Sequence, residues 1–385
     1  MLRVLTLSTL FPDATRPDFG VFVERQTLGL AALPDTEVTV VAPVGLPPSP
    51  LARIRHSALA RLPEREKWRG LEVHRPRFFN LPLTGGRFHA RLLARAIRPL
   101  LDGLRFDVID ASFFFPDGVA AAALGRRYGV PVSIKARGAD IHHWGRAPAT
   151  AAQVLAAGRA ADGLLAVSGA MRADMAALGM PAKRIRLHHT GVDLARFAPA
   201  DRPAAKRELG VTGPLIVSTG ALIPRKGHDL VIQAVARLSG VSLRIAGEGP
   251  ERPRLEALIR RSGLGDRVRL LGAVPHAELP RLLAAADVMA LASSSEGLAN
   301  AWVEALACGV PVVITDAGGA REVVTASSAG RIAERDPAAF AGAVAGLLAN
   351  PPDPLAVREH ARRFTWEANA RSLREHLAAL VQSNG

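Results

Sequence analysis

Ten apolar runs of strand length alternate with helical patterns along the 385-residue chain: LRVLTLS, EVTVVAP, FDVIDAS, VPVSIKA and GLLAVS, then PLIVSTG, SLRIAGE, RVRLLG, DVMALAS and VPVVIT. A strand that is apolar throughout, rather than at every second residue, is buried on both faces, and such strands belong to parallel sheets covered by helices. The chain is therefore expected to be α/β. FAPADRPAAKRELGVTGP, residues 197–214, is rich in Pro, Ala and charge and separates two sets of β-α units. Two Rossmann-like, doubly wound domains are expected, 1–200 and 201–363, each long enough to bury its own core. ADGLLAVSG (161–169) and ADVMALASS (286–294) share one order of helix end, apolar strand and serine-ended loop. Ligands of doubly wound sheets bind outside the carboxyl ends of the strands, so the loops after strands are where chemistry is expected.

The single cysteine, Cys308, sits among Ala and Leu, which excludes a disulfide framework and reads as a buried small hydrophobe. The N-terminal MLRVLTLSTLFPDATRP runs from one Arg into a strand and loop without a cleavage site, so no signal peptide is expected. No uncharged apolar run reaches the roughly 20 residues of a membrane span. The expected location is the cytoplasm, or the inner face of a membrane as a peripheral protein.

A net charge of +14 invites an anionic partner, and its distribution says more than its size. Residues 51–101 hold twelve Arg and Lys against three Glu, +9 of the total. Within them GGRFHARLLARAIRPLL sets Arg87, Arg91, Arg95 and Arg98 at helical spacing, offset from Phe88, Leu92, Leu93, Ile97 and Leu101. An amphipathic basic helix suits an anionic membrane surface or an anionic acceptor, although an ordinary surface helix in an Arg-rich chain has the same pattern. With one Tyr and few aromatics among the basic residues there is no base-stacking platform, and no nucleic-acid partner is expected.

SSSEGLANAWVEALACGVPVV (293–313) places Glu296 and Glu304 eight residues apart around a glycine-punctuated loop. DVMALAS reads as a strand, SSEGLAN as the loop at its carboxyl end, and AWVEALA as a helix stopped at Gly309. A helix N-terminus offers free N–H groups and a partial positive charge to an anion, and carboxylates beside it accept from hydroxyls. The pair thus suits a ligand that is anionic in the middle and hydroxyl-rich at both ends; a solvated loop Glu and a surface helical Glu would share the spacing. STGALIPRKGHDLVIQAV (218–235) reads as a strand, a loop with Arg225 and Lys226, and a helix from near Gly227. Adjacent cations at such a turn neutralise a diphosphate leaving group, whose charge grows in the transition state. Only five of the 49 basic residues are Lys, which sets Lys226 apart from background.

SEGLANAWVEALACGVPVVITDAGGAREVV, with PRKG, resembles the E-x7-E and basic-pair regions of the family-four retaining glycosyltransferases, in particular those that build bacterial surface polysaccharides. The resemblance covers nearly the whole chain and is strongest over 215–325. It implies the GT-B fold, two Rossmann-like domains facing across a cleft, with the C-terminal domain holding the donor and a final helix, 364–385, crossing back to the N-terminal domain. It implies that Glu296 contacts donor-sugar hydroxyls and Glu304 holds the ribose. The main chain of Gly297, Leu298, Ala299 and Asn300 would meet the sugar and diphosphate, and that of Gly272 and Val274 the base. Lys226 matches the family's lysine; the Arg that many members carry after the glycine is Ala221 here, so Arg225 is expected to take over its contact.

The N-terminal half resembles the same family. LSTLFPDATRPDFGVFVERQ carries a first-strand loop with Gly20, where the backbone can approach donor or acceptor closely. DASFFFPDGVAAAALGRRYGVPVSIKARGADI follows the family but has Ser112 and Arg137 where many relatives have His. Arg137, with Lys135 two residues before it on one strand face, is expected on the acceptor side to bind an acidic group; an Arg137–Asp140 pair in a turn is the alternative. His188 and His189 should point to opposite faces of a strand, and no D-x-D occurs, so no metal and no cofactor is expected. LRIAGEGPERPRL has G-x-G after a strand, but Arg252 at the third glycine position leaves a weak dinucleotide signal.

The resemblance implies a retaining, metal-independent hexosyltransferase. It would move a sugar from a nucleoside-diphosphate sugar to a saccharide or lipid-linked saccharide in polysaccharide or glycoconjugate biosynthesis, by front-face attack with the departing diphosphate taking the acceptor proton. A GT-B epimerase or phosphorylase shares the fold. A non-enzymatic basic protein binding membrane or nucleic acid would account for the charge, but not for E-x7-E together with PRKG.

Overall fold

The computed structural model describes residues 1–48 and 57–384, so Arg53 and Arg55 of the basic segment lie outside the described residues. It divides into two compact units, Met1–Gly191 with the segment from Trp366 onward, and Val192–Thr365.

The first unit contains β1 (Leu2–Leu7), β2 (Thr36–Val41), β3 (Val44–Leu46), β4 (Arg65–Trp68), β5 (Leu71–His74) and β6 (Arg77–Phe79), then β7 (Val108–Ala111), β8 (Val132–Ala136), β9 (Gly163–Ala166) and β10 (Ile185–Leu187). Eight of them form one sheet, ordered β10-β9-β8-β7-β1-β2-β5-β4, and β3 pairs with β6 in a small second sheet. Every pairing is parallel except β4 with β5, a polar hairpin at the sheet edge. The helices that bear on function are α1 (Val21–Ala31), α2 (His89–Leu101), α3 (Val119–Tyr128) and α4 (Ala151–Ala160) in this unit, α5 (His228–Ala236) and α6 (Asn300–Ala307) in the second, and the terminal α7 (Trp366–Asn384) back in the first. Leu373 and Leu377 of α7 join Val23 and Leu30 of α1 in the apolar cluster over Val4, Val40 and Val108.

VPVSIKA, read as apolar throughout, carries a buried polar stripe instead. Lys135 Nζ donates to Gln26 Oε1 of α1 at 2.9 Å, and Ser133 Oγ meets His376 Nε2 of α7 at 3.2 Å. Alternate residues of a strand share a face, so this stripe is roofed by the two helices that supply its partners.

The second unit holds β11 (Leu215–Thr219), β12 (Ser242–Ala246), β13 (Val268–Gly272), β14 (Val288–Leu291), β15 (Val312–Ile314) and β16 (Gly330–Ile332), all parallel, in the order β13-β12-β11-β14-β15-β16. The order reverses between β11 and β14. Connections leave the sheet in opposite directions on either side of such a point, which opens a crevice at the carboxyl ends of those two strands.

The basic helix starts later than its spacing suggests. Leu83, Gly85 and Gly86 all have positive φ (64°, 58° and 89°), so Arg87 lies in a turn and α2 begins at His89. From there Leu93, Ile97 and Leu101 are buried while Arg91, Arg95 and Arg98 are exposed. Among the described residues no helix is long and apolar enough to cross a membrane.

Candidate active site

The loops that follow β11 and β14 both empty into the crevice at the switch point of the second unit. Pro224–Lys226 form a single helical turn ended by Gly227, in the left-handed region at φ 65°. A Cβ on Gly227 would lie 2.1 Å from the carbonyl oxygen of Ala292, just past β14, so only glycine lets the basic turn pack on the neighbouring strand end. Arg225 O accepts the Ser294 N–H at 2.8 Å across the same junction. The close approach brings Lys226 Nζ within 2.5 Å of Glu296 Oε1, which also accepts from Ser293 Oγ at 2.7 Å. Arg225 Nη1 donates to Ser295 O at 2.5 Å and stands 3.5 Å from Glu296 Oε2. Glu296 and Lys226 are both largely shielded from water, so their attraction is weakly screened, and the more exposed Arg225 leaves the cluster with one net positive charge.

Gly297, Leu298 and Ala299 are buried in the loop that leads to Asn300, the first residue of α6. The loop is braced from behind by Gly319, whose N–H donates to Gly297 O at 2.7 Å. Glu304 follows one turn into the helix, buried, its Oε1 2.9 Å from His276 Nε2. The His276 ring lies 5.5 Å from that of Phe197. Gly272, at φ 77°, accepts the Gly247 N–H on its carbonyl at 2.8 Å, and half-buried Val274 sits between it and His276. Glu296 and Glu304 thus each hold a cationic or N–H partner from a distant segment, an arrangement open to exchange for an anion at the cations and for hydroxyls at the carboxylates.

Two histidines here escaped the sequence reading. His276 lies in PHAEL, residues 275–279, where nothing local marks it as Glu304's partner. His228, directly after the basic turn, is buried with Nδ1 3.1 Å from Ser218 Oγ and Nε2 without a hydrogen-bond partner among the described residues. Burial first, and the Lys226 charge second, push its pKa down to about 4. Its place, immediately after a Lys-Gly at a strand-to-helix turn, was the available signal.

In the first unit the switch point falls between β7 and β1. There the Thr9 N–H donates to Asp117 Oδ2 at 2.9 Å, joining the loops after both strands. Gly20, at φ 69°, makes a close approach to its own chain, since a Cβ would lie 2.2 Å from Leu10 O. Arg137 is half-buried: Nε donates to Ser112 O at 2.8 Å, Nη2 to Gln26 Oε1 at 3.1 Å, and the guanidinium lies 4.7 Å over the Phe22 ring. Asp140 accepts from the backbone N–H groups of Arg137, Gly138 and Phe114, so the turn is closed through the main chain and not by the Arg137–Asp140 side-chain pair. Lys135 is fully buried, its ammonium 2.6 Å from His188 Nδ1 and bonded to Gln26, and burial holds its pKa well below the ordinary value. It therefore supports Arg137 through their shared Gln26 and is not itself presented to a ligand. Among the described residues no group of three His, Cys, Asp or Glu is placed to hold a metal ion.

Comparison with known proteins matches residues 20–196 to the family described as "Glycosyltransferase Family 4" and residues 201–364 to "Glycosyl transferases group 1". A D-inositol 3-phosphate glycosyltransferase of Geodermatophilus obscurus is 37% identical over 212 residues, covering 51% of this chain and 47% of that protein. A GDP-mannose-dependent alpha-(1-6)-phosphatidylinositol monomannoside mannosyltransferase of Mycolicibacterium smegmatis is 32% identical over 249 residues, 60% of this chain and 65% of that protein. The chain spans about half the length of the first curated relatives it matches. Among solved structures, a sucrose-phosphate synthase from Thermosynechococcus elongatus superposes with TM-score 0.82 at 20% identity over 100% of both chains. Anabaena Alr3699/HepE in complex with UDP and glucose does so with TM-score 0.76 at 20% identity over 98% of this chain and 100% of that one. These likenesses show the fold, two Rossmann-like units of the GT-B type.

Proposed function

The chain belongs to the family 4 glycosyltransferases, and from that premise we propose that it moves a sugar, with retention and without a metal, from a nucleoside-diphosphate sugar to a saccharide or lipid-linked saccharide in glycoconjugate or polysaccharide biosynthesis. The observation that carries this reading is the Lys226–Glu296 pair at the switch point of the second unit, with Arg225 beside it and Glu304 one helical turn beyond. An arriving diphosphate takes the cations, which releases Glu296 to accept from the hydroxyls of the sugar; Glu304 exchanges His276 for the ribose. The main chain of Gly297 to Asn300 lines the path between the two carboxylates, and that around Gly272 and Val274 faces the base. Support comes from a fold neighbour and a relative: HepE binds UDP and glucose, and the mycobacterial enzyme is GDP-mannose-dependent.

On this reading the reaction needs no side-chain base. The diphosphate carries more charge as the glycosidic bond breaks, Lys226 and Arg225 stabilise that charge, and the leaving oxygen takes the acceptor proton from the same face. The acceptor belongs to the first unit, where Arg137 would meet an acidic group through the donors it has left, and the protein would work in the cytoplasm at the inner face of a membrane. Hydrolysis of UDP-, GDP- and ADP-sugars without acceptor tests the reading; no turnover and no nucleotide binding across that panel would end it.

Two substitutions separate the carboxylates. Glu304→Ala is expected to weaken nucleoside-diphosphate binding by roughly 1–3 kcal/mol, the cost of leaving a buried hydroxyl without its acceptor, as read by calorimetry. Glu296→Gln is expected to act in opposite senses on two measurements. Free nucleoside diphosphate binds more tightly, because Lys226 no longer has a carboxylate 2.5 Å away competing with the phosphates, while sugar turnover falls. Parallel losses in both would place Glu296 outside the sugar contact.

A further inference from the structure

A groove of about 810 Å³ runs between α2, α3 and α4 on the first unit, and nothing in the donor reading uses it. Arg91, Arg95 and Arg98 line it from α2, and Arg126 and Arg127 from α3; between them lie small apolar residues, Ala90, Ala94, Val119 and Ala122. Its one carboxylate, Asp102, already accepts the Tyr128 hydroxyl at 2.7 Å. Among the described residues no carboxylate lies within ion-pair distance of Arg91, Arg95, Arg98 or Arg126, and Arg127 lies 5.9 Å from the Tyr128 ring centroid. Five guanidinium groups and one carboxylate around an apolar lining leave a net charge of +4, which suits anions attached to something greasy.

A second feature adjoins the groove. Phe79 is 60% exposed, Phe88 42%, and Leu83 completely so, held in the left-handed region at φ 64°. Gln153 of the groove donates to Arg87 O at 3.2 Å, so the turn carrying these side chains abuts the arginines. Large apolar side chains turned to solvent beside clustered cations are the makeup of an element that enters a membrane interface.

We propose that the groove and the Phe79–Phe88 turn form a docking site for a membrane rich in anionic phospholipid. Phosphate headgroups enter among the five arginines while Leu83 and Phe88 reach the acyl boundary. The inference rests on the reading that the acceptor is lipid-borne, and it is independent of the donor site on the second unit. A nucleic-acid surface would supply the phosphates but would give the exposed leucine and phenylalanines nothing to bury against.

The full chain should sediment with phosphatidylcholine vesicles that contain phosphatidylglycerol and not with phosphatidylcholine alone, and less at high salt. Removing a basic residue near an anionic surface weakens binding roughly fivefold, so Arg91→Glu, Arg95→Glu and Arg98→Glu together should weaken it on the order of a hundredfold. Arg126→Glu with Arg127→Glu tests the α3 wall in the same assay, with roughly a 25-fold loss expected. Leu83→Asp with Phe88→Asp should weaken binding at high salt most, where the apolar contact carries a larger share. Native-like circular dichroism and thermal unfolding of all three variants should show the first unit folded, and nucleoside-diphosphate affinity, read on the second unit, should stay unchanged. A native chain that binds these vesicles but no nucleotide would fault the donor reading alone. Equal binding to neutral vesicles, an α3 variant that binds like the native chain, displacement by soluble glycerol phosphate, or tighter binding to single-stranded RNA than to vesicles would overturn the proposal.

Discussion

Lys226→Ala is expected to lower turnover of donor hydrolysis by about 10²–10³-fold while KM for the donor changes little. The reason lies in when the charge acts. Lys226 is paired with Glu296 at 2.5 Å, so in the ground state the phosphates gain only what exceeds that pair. As the glycosidic bond breaks, another negative charge gathers on the diphosphate, and the same ammonium interacts more strongly with the transition state than with the bound donor. Arg225, 3.5 Å from the other Glu296 oxygen, retains part of the field, which keeps the loss short of complete. Steady-state hydrolysis of the active nucleotide sugar reads both constants. A raised KM with turnover intact would make Lys226 a binding group and remove it from the leaving-group role.

The partner of Lys226 was out of reach of local reading, while its setting was not. A basic turn after one strand and a Glu loop after another can each be read in windows of about twenty residues, because strand, turn and helix signals are local. The Lys226–Glu296 contact joins residues 70 apart and exists because the strand order reverses between β11 and β14. His276 and Glu304, 28 apart, meet for the same kind of reason.

Fold class was legible because the ten apolar runs are strands of two mostly parallel sheets. Of the strands that went unread, β4, β10 and β16 are short and carry charge at a sheet edge, where one side faces water and an apolar run is not required. VPVSIKA failed differently. Its Ser and Lys are buried, and they are tolerated because α1 and α7, one near each end of the chain, bring Gln26 and His376 to them. Ser168 and Ser293, alike in the internal repeat, also part ways: the first caps a helix by accepting the Met171 N–H at 3.1 Å, and the second donates to Glu296.

Asp117→Asn is expected to stabilise the protein by about 1–3 kcal/mol above neutral pH and to leave it unchanged near pH 4. Asp117 is buried at the first unit's switch point; Oδ2 accepts from the N–H and hydroxyl of Thr9, while Oδ1 has no partner among the described residues. Burial pushes its pKa up to about 7, with the nearby Asp140 adding to the rise. An unfolded aspartate ionises near 3.9, so the folded chain holds the extra proton between the two values. The stability this carboxyl contributes is present below the unfolded pKa and lost as pH rises through about 7. A shift of that size has a ceiling of about 4 kcal/mol, and the amide gives part of it back, because its NH₂ group must occupy the place where Oδ1 had no partner. In the native protein the slope is masked. His228 and His376, pushed down to about 4 by burial, act with the opposite sign, giving stability that returns as pH rises toward the ordinary histidine range. The difference between variant and native chains isolates Asp117: urea melts of both at about pH 4, 6 and 8 should diverge steadily in favour of asparagine. A constant difference across that range would mean that Asp117 is ionised throughout and that its free oxygen is hydrated.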